Sequence, residues 1–317
     1  MSGNKSWSNY GRQVILLNKI RVFGIVFAAV LIAAISIYLV FRVRDGASSE
    51  RRELLQVWND GDYEKAYEIS KILFEEKPVD YFLLSVNGFS AFQLGISQIN
   101  NQSTLLFIDE CIFSLRKAKA VIQKDPQKDK QLGYLYYVLG KAYGYKGKEY
   151  ADLAVKYLEM ANTLSCDASD IPQFLGIAYA ALQDYRSSVE AFSRALIPGE
   201  LPTDNLLIAI ARSYMAMEEY NMAISYLQHC VSISNDSNSV INSKLMLAEI
   251  YRVLEDYASA EVQYLSILEE TGETAEVHFQ LGELYNLQGD TTRARSEWRT
   301  AYRQDPLHTR ARSRLNI

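Results

Sequence analysis

The chain has little that would break a helix. It holds 16 glycines and 6 prolines in 317 residues, with no low-complexity tract, so long disordered segments are excluded. Cysteine is as scarce: Cys111, Cys166 and Cys230 are all there are, and no CxxC occurs. The histidines are His229, His278 and His308, and no two lie at the spacing that puts a pair of metal ligands on one helical face. His229 and Cys230 are neighbours in sequence, but adjacent helix residues do not face each other. Cys111 and Cys230 read as buried packing residues. Phosphate-loop and dinucleotide fingerprints are missing. Carboxylates are plentiful, yet no two are set apart as an acid and a base. The expectation is a protein with no catalytic residues, no metal and no cofactor.

Acid is missing from residues 1–44, where Lys5, Arg12, Lys19, Arg21, Arg42 and Arg44 give a local charge of +6. The whole chain carries −5, so the remainder carries −11. A body this acidic argues against nucleic acid as a partner.

Charge of either sign is missing from Val22–Phe41, twenty residues reading VFGIVFAAVLIAAISIYLVF. A helix of that length spans about 30 Å, the thickness of a bilayer core. A cleavable signal would have a shorter apolar core of ~7–15 residues, with small residues at its end. Tyr38, Leu39 and Phe41 stand there instead. The reading is a basic tail over residues 1–21, a single transmembrane anchor over 22–41 and a juxtamembrane linker over 42–52. Lysine and arginine are balanced across the span, so the inside-positive bias is weak. A short basic tail ahead of an anchor most often stays in the cytoplasm. That predicts a single-pass inner-membrane protein with residues 53–308 on the extracytoplasmic side. Small residues at Gly24/Ala28 and Ala29/Ala33 would allow helix pairing, so self-association is a second possibility.

What is abundant is tyrosine, with 22, and it recurs at fixed places. Ala275–His308 carries Leu281-Gly282, Tyr285, Gly289-Asp290, Ala294, Trp298, Ala301 and Pro306. Small residues recur in the same register at Gly140, Gly176, Ala211, Ala248 and Gly282, at intervals of 36, 35, 37 and 34. Each unit reads as two antiparallel helices. Gly282 and Ala301 sit where the helices must approach closely, Gly289-Asp290 supplies the turn and an acidic helix start, and Pro306 stops the second helix. One such hairpin cannot bury its apolar face alone, whereas stacked neighbours can.

These spacings resemble the 34-residue tetratricopeptide repeat, except that His278 stands where that family favours Trp. The resemblance covers about residues 47–308. It implies an all-α fold, a right-handed α-solenoid of about seven tetratricopeptide helical hairpins behind one N-terminal transmembrane helix. The first repeat, near 47–80, has a poor first helix. The second carries an insertion over about 96–110, expected to form an extended hairpin with Gly95 at its turn and Ser103 as a helix cap. Residues 309–317 are expected to form a basic capping fragment.

In the family, first helices line a concave groove. The resemblance therefore implies a groove of Tyr134, Tyr137, Lys141, Tyr145, Gln173, Ile208, Arg212, Met215, Leu245, Glu249, Arg252, Phe279 and Glu283, with Ile177, Asn205 and Asn242 beside them. Tyr134, Tyr137 and Tyr145 are the expected aromatic anchors. The Lys/Asn/Arg pattern of the family's carboxylate clamp is not met. The groove instead suits an extended segment or an amphipathic helix of a protein partner. The resulting expectation is a scaffold that holds protein partners at the bilayer. Two alternatives stand beside it: a small apolar ligand enclosed by Tyr134, Tyr137, Ile208, Leu245 and Phe279, and a self-associating structural protein.

Overall fold

The computed structural model describes residues 49–122, 129–271 and 274–317. The apolar stretch Val22–Phe41 lies outside the described residues. Among those described, no helix is long and apolar enough to cross a membrane.

Every regular element described is helical. Six helices come first: α1 (Ser49–Asn59), α2 (Tyr63–Glu76), α3 (Tyr81–Ser97), α4 (Asn101–Ile122), α5 (Asp129–Lys146) and α6 (Ala151–Thr163). Then follow α7 (Ile171–Ala181), α8 (Tyr185–Ala195), α9 (Asp204–Ala216), α10 (Tyr220–Ile233), α11 (Ser237–Val253), α12 (Tyr257–Thr271), α13 (Ala275–Leu287), α14 (Thr291–Gln304) and α15 (Thr309–Leu315). The pairs α1/α2 through α13/α14 make seven helical hairpins in sequence, and α15 follows them. The chain divides into two compact units, up to Phe174 and from Leu175 to Ile317, which are taken in turn.

In the first unit, α1 begins at Ser49, so residues 49–52, expected to be linker, are already helical. Glu50 in the first turn suits the positive end of the helix dipole. Arg51 forms an ion pair with Asp80, the residue that caps α3 by accepting from the Phe82 and Leu83 amides. The expected insertion is absorbed by lengthening both helices of one hairpin: α3 and α4 have 17 and 22 residues, where α13 and α14 have 13 and 14. Gly95 is not the turn. It is buried inside α3, where a Cβ would lie 3.2 Å from Ile108 Cδ1. The turn is at 98–100, and the Asn100 side chain accepts from the Gln102 amide at 2.8 Å. Ser103 is therefore the third residue of α4, not its cap.

A buried polar triad ties α2, α3 and α4 together. Ser114 donates to Asn87 Oδ1 at 2.7 Å, and Asn87 Nδ2 donates to Ser70 Oγ at 3.3 Å. Each partner satisfies the other in a place water does not reach. The small positions work as the spacing implies. At Gly88 and Gly140 a Cβ would come within 3 Å of Leu115 and Leu158 on the second helix of the same hairpin.

In the second unit, Gly176 faces Phe192 at 2.5 Å from a would-be Cβ, and Gly282 sits still closer against the Trp298 indole. Asp184, Asp256 and Asp290 accept backbone amides at the starts of α8, α12 and α14, and Asp236 does so for α11. Side-chain bonds from Ser187, Ser259 and Ser239 first, then the amides, hold Asp184, Asp256 and Asp236 below the usual carboxylate range, and at Asp290 the Arg293 amide leads. The residue one before the turn aspartate is left-handed: Gly289 has φ +81, Gln183 +62 and Glu255 +60. Glu218 takes the same place before Glu219, at φ +60. Glycine is the easy residue there, and three of these four turns lack it.

Candidate functional site

One concavity in the second unit lies over α9. Thr203 caps this helix by accepting the Leu206 amide. That start sets Asn205, Ile208 and Arg212 on one face, at spacings of three, four and seven. Across from them stand Asn242 and Ser239 of α11, with Ile177 and Ala180 of α7 on the other side. The groove's volume is about 560 Å³. Ile208 forms a buried floor, Arg212 is exposed, and Ile177 shows 48% of its surface. Among the described residues Arg212 has no ion-pair partner. The groove therefore offers three amide side chains, from Asn205, Asn238 and Asn242, the Arg212 guanidinium, the Asp236 carboxylate and an aliphatic wall. Tyr185 also lines it. The register identified Asn205, Ile208, Arg212 and Asn242. It carried no sign of Asn238, whose place follows from the Asp236 cap. Met215 is half-buried and packs in the core with Ala211 and Leu227, away from the groove.

Over α13 the arrangement differs. Glu249, Arg252, Phe279 and Glu283 line a second hollow of about 580 Å³, but Arg310 and Arg314 of α15 line it too. The Arg314 guanidinium takes Glu283 with two bonds, at 2.8 and 2.5 Å. Arg310 stacks over the Phe279 ring at 4.7 Å and pairs with Glu276. The His308 ring sits 5.0 Å from Phe279. Burial pushes the Glu276 carboxyl up, but bonds from Gln280, Arg310 and His308 outweigh it, and the group ends below its ordinary value. Glu249 and Arg252 pair with each other, Nε to Oε2 at 2.8 Å, and that bond raises the arginine further. Leu245 is half-buried against the core of the last hairpins. The expected groove positions Phe279 and Glu283 are thus engaged by the chain's own last helix.

The first unit corrects the expected aromatic anchors. Tyr134 and Tyr137 show only 7% and 8% of their surface. The run Gly133–Gly140 of α5 is buried throughout, because α5 packs against both α4 and α6. The Tyr137 hydroxyl donates to Asp170 at 2.9 Å, and Lys141 Nζ lies 2.9 Å from each of them. Burial, then the Asp170 charge, drives the Tyr137 hydroxyl far up. Tyr134 is pushed up to about 12 by burial and Asp167. The Lys141 ammonium also rests over the Phe174 ring at 4.3 Å. It is a neutralised, aromatic-boxed cation, not a free groove charge. Tyr145 is 44% exposed and meets Phe92 edge-on at 5.9 Å. Gln173 is half-buried. Of the five residues expected to enclose a small ligand, Tyr134, Tyr137, Ile208 and Phe279 are buried within their own units.

No group of three or more His, Cys, Asp or Glu is placed to hold a metal among the described residues. Cys111 and Cys230 are buried, and Cys166 is half-exposed with its thiol pushed up to about 11 by burial.

Residues 205–237, the α9–α10 hairpin under the groove, match the tetratricopeptide repeat family. The fold of the chain is that of solved tetratricopeptide repeat structures. The C-terminal part of a TPR repeat-containing protein from Cytophaga hutchinsonii is similar at 14% identity and a TM-score of 0.63, over 84% of this chain and 99% of that one. A tetratricopeptide repeat protein from Parabacteroides merdae is similar at 16% identity and a TM-score of 0.50, over 85% of this chain and 98% of that one. None of the curated proteins compared matches the chain.

Proposed function

We propose that this chain is a scaffold that holds a protein partner at a bilayer, with no catalytic role of its own. Helical repeats of this kind commonly mediate contacts between proteins. The observation that carries the reading is the groove over α9. It combines an aliphatic wall with Asn205, Asn238, Asn242, the Asp236 carboxylate and Arg212, which makes no ion pair among the described residues, and a peptide backbone with polar side chains satisfies that set. The partner segment is extended or an amphipathic helix. The bilayer part of the reading rests on the uncharged run Val22–Phe41. Its basic flank favours the repeats lying on the extracytoplasmic side.

Two measurements test it. A photo-crosslinking residue at Asn205 or Arg212 should trap a discrete protein, while the same residue at Arg194, outside the groove, should not. Equal trapping at all three positions would remove the groove from the reading. Membrane pellets washed at high pH should retain the full chain and lose a form lacking residues 22–41. Retention of both forms would sink the anchor.

A further inference from the structure

Residues 291–317 hold seven arginines and two acids, in a chain of net charge −5. The two acids are occupied. Glu297 lies 2.6 Å from His278 Nδ1, and Asp305 accepts the Leu307 amide at 2.9 Å. Three of the arginines are occupied as well: Arg293 by Asp290, Arg310 by Glu276 and Arg314 by Glu283.

Arg295, Arg299 and Arg303 are different. All three are exposed on α14, four residues apart, opposite the buried Ala294, Trp298 and Ala301. None has an ion-pair partner among the described residues. Arg303 donates only to the Thr300 hydroxyl, at 3.0 Å. Spacing by four sets the guanidinium stems about 6 Å apart along a stripe about 12 Å long. Thr291, Thr292, Arg293 and Ser296 are the other exposed residues of that helix before Gln304, and the aromatic at the edge of the stripe, Tyr302, is half-buried against the core, so no large apolar side chain stands exposed beside the arginines.

We propose that this face of α14 docks an acidic protein segment, a helix carrying carboxylates at i, i+4 and i+8. The spacing of such carboxylates equals that of the arginines, and a planar guanidinium matches a carboxylate with two parallel hydrogen bonds. A lipid surface fits less well. Interfacial helices expose bulky apolar or aromatic residues beside their basic ones, and this face exposes none, Tyr302 being turned into the core. Nucleic acid fits worse, because the rest of the chain is strongly acidic. The stripe is a separate surface from the groove over α9, and it stands or falls by itself.

The test uses the full chain in neutral detergent. The probe is a fluorescent alanine- and glutamine-based helical peptide with glutamates at i, i+4 and i+8, followed by anisotropy. The peptide should bind, more weakly as salt approaches ~0.1 M and the Debye length falls to about 10 Å. The triple variant Arg295→Gln, Arg299→Gln, Arg303→Gln should bind it about tenfold less well, the joint effect of three exposed ion pairs. The triple change to Glu should lose the acidic peptide and gain a matched lysine peptide, which shows that the variant is folded. A peptide with its glutamates moved to adjacent positions should bind poorly. Equal binding by wild type and the Gln variant, or equal binding of the two glutamate peptides, would overturn the proposal. So would micelles doped with phosphatidylglycerol displacing the probe at lower concentration than unlabelled peptide, which would assign the stripe to lipid headgroups.

Discussion

Arg314 closes on Glu283 with both arms of its guanidinium, at 2.8 and 2.5 Å. Two residues 31 positions apart thereby pin α15 onto α13. The binding is weaker than it looks. Exposed ion pairs contribute about 0.2–1 kcal/mol each, and Arg314 is about half exposed. The anchor of α15 is the fully buried Ala311. Arg314→Ala should therefore change stability by less than about 1 kcal/mol. Ala311→Asp, which forces an unpaired carboxylate into the seam, should release α15 and cost about 2 kcal/mol or more. Urea melts give both numbers, and hydrogen exchange across α13 should quicken only in the second variant.

Gly282 has no room for a side chain, because Trp298 fills the space a Cβ would take. Gly282→Ala should destabilise by about 1–3 kcal/mol, as overpacking does in a filled core. Gly144 is the internal control. It is helical, with nothing within 4 Å of a would-be Cβ. Gly144→Ala should stabilise by about 0.5–1 kcal/mol through the entropy of the unfolded chain. Opposite signs in thermal melts are the result to look for.

Glu218 and Glu255 hold φ near +60, where an L side chain crowds its own backbone. Each is exposed, so nothing else depends on the side chain. Changing both to glycine should raise stability by about 0.5–1 kcal/mol per site, net of the extra unfolded-state freedom. A fall in the melting midpoint would show that the glutamates have roles beyond the turn.

The Cys166 thiol, pushed up to about 11 by burial, is only about 0.1% thiolate at pH 8. Maleimide labelling there should be slow, and its rate should climb about tenfold per pH unit. Asn101→Cys, on the exposed tip beside the α3–α4 turn, should label rapidly under the same conditions. If the proposed anchor over residues 22–41 is present, that position is the better reporter of which side of the bilayer the repeats face. Fast labelling of Cys166 near neutrality would contradict its packing.

Asp184, Asp236, Asp256 and Asp290 cap helices with carboxyls held below their ordinary value. The folded state then binds protons less readily than the unfolded one. Stability from these caps is full above the unfolded carboxylate pKa of about 4, and is lost as pH falls through the lower folded values. Replacing all four by asparagine, which caps without titrating, should flatten the drop in melting temperature below about pH 4. An unchanged acid limb would mean that other carboxylates govern acid unfolding.

The repeat architecture was legible in the sequence because close approach of two helices leaves few choices. Gly140, Gly176, Ala211, Ala248 and Gly282 mark it at nearly even intervals. The groove was legible over α9, where one helix face simply looks outward. It was not legible at Tyr137, since groove and core positions differ by only a fraction of a turn. Its burial follows from α5 packing against both α4 and α6, and Asp170, 33 residues away, takes up its hydroxyl. The cover over Phe279 was half legible: residues 309–317 were expected to form a basic capping fragment, but nothing in the sequence pairs Arg310 with Glu276 or Arg314 with Glu283. The left-handed turns at Gln183, Glu218 and Glu255 were invisible, because no glycine marks them.

The Ser70–Asn87–Ser114 triad also constrains how this protein can change over generations. Losing Asn87 alone strands the Ser114 hydroxyl in a dry seam, while Ser70 keeps its bond to the Tyr67 carbonyl. Losing either serine strands one end of the amide. Each single step is costlier than the joint replacement of all three by apolar residues of similar bulk. The three helices of that seam are therefore joined by history as well as by contact: their substitutions are accessible together and nearly closed one at a time.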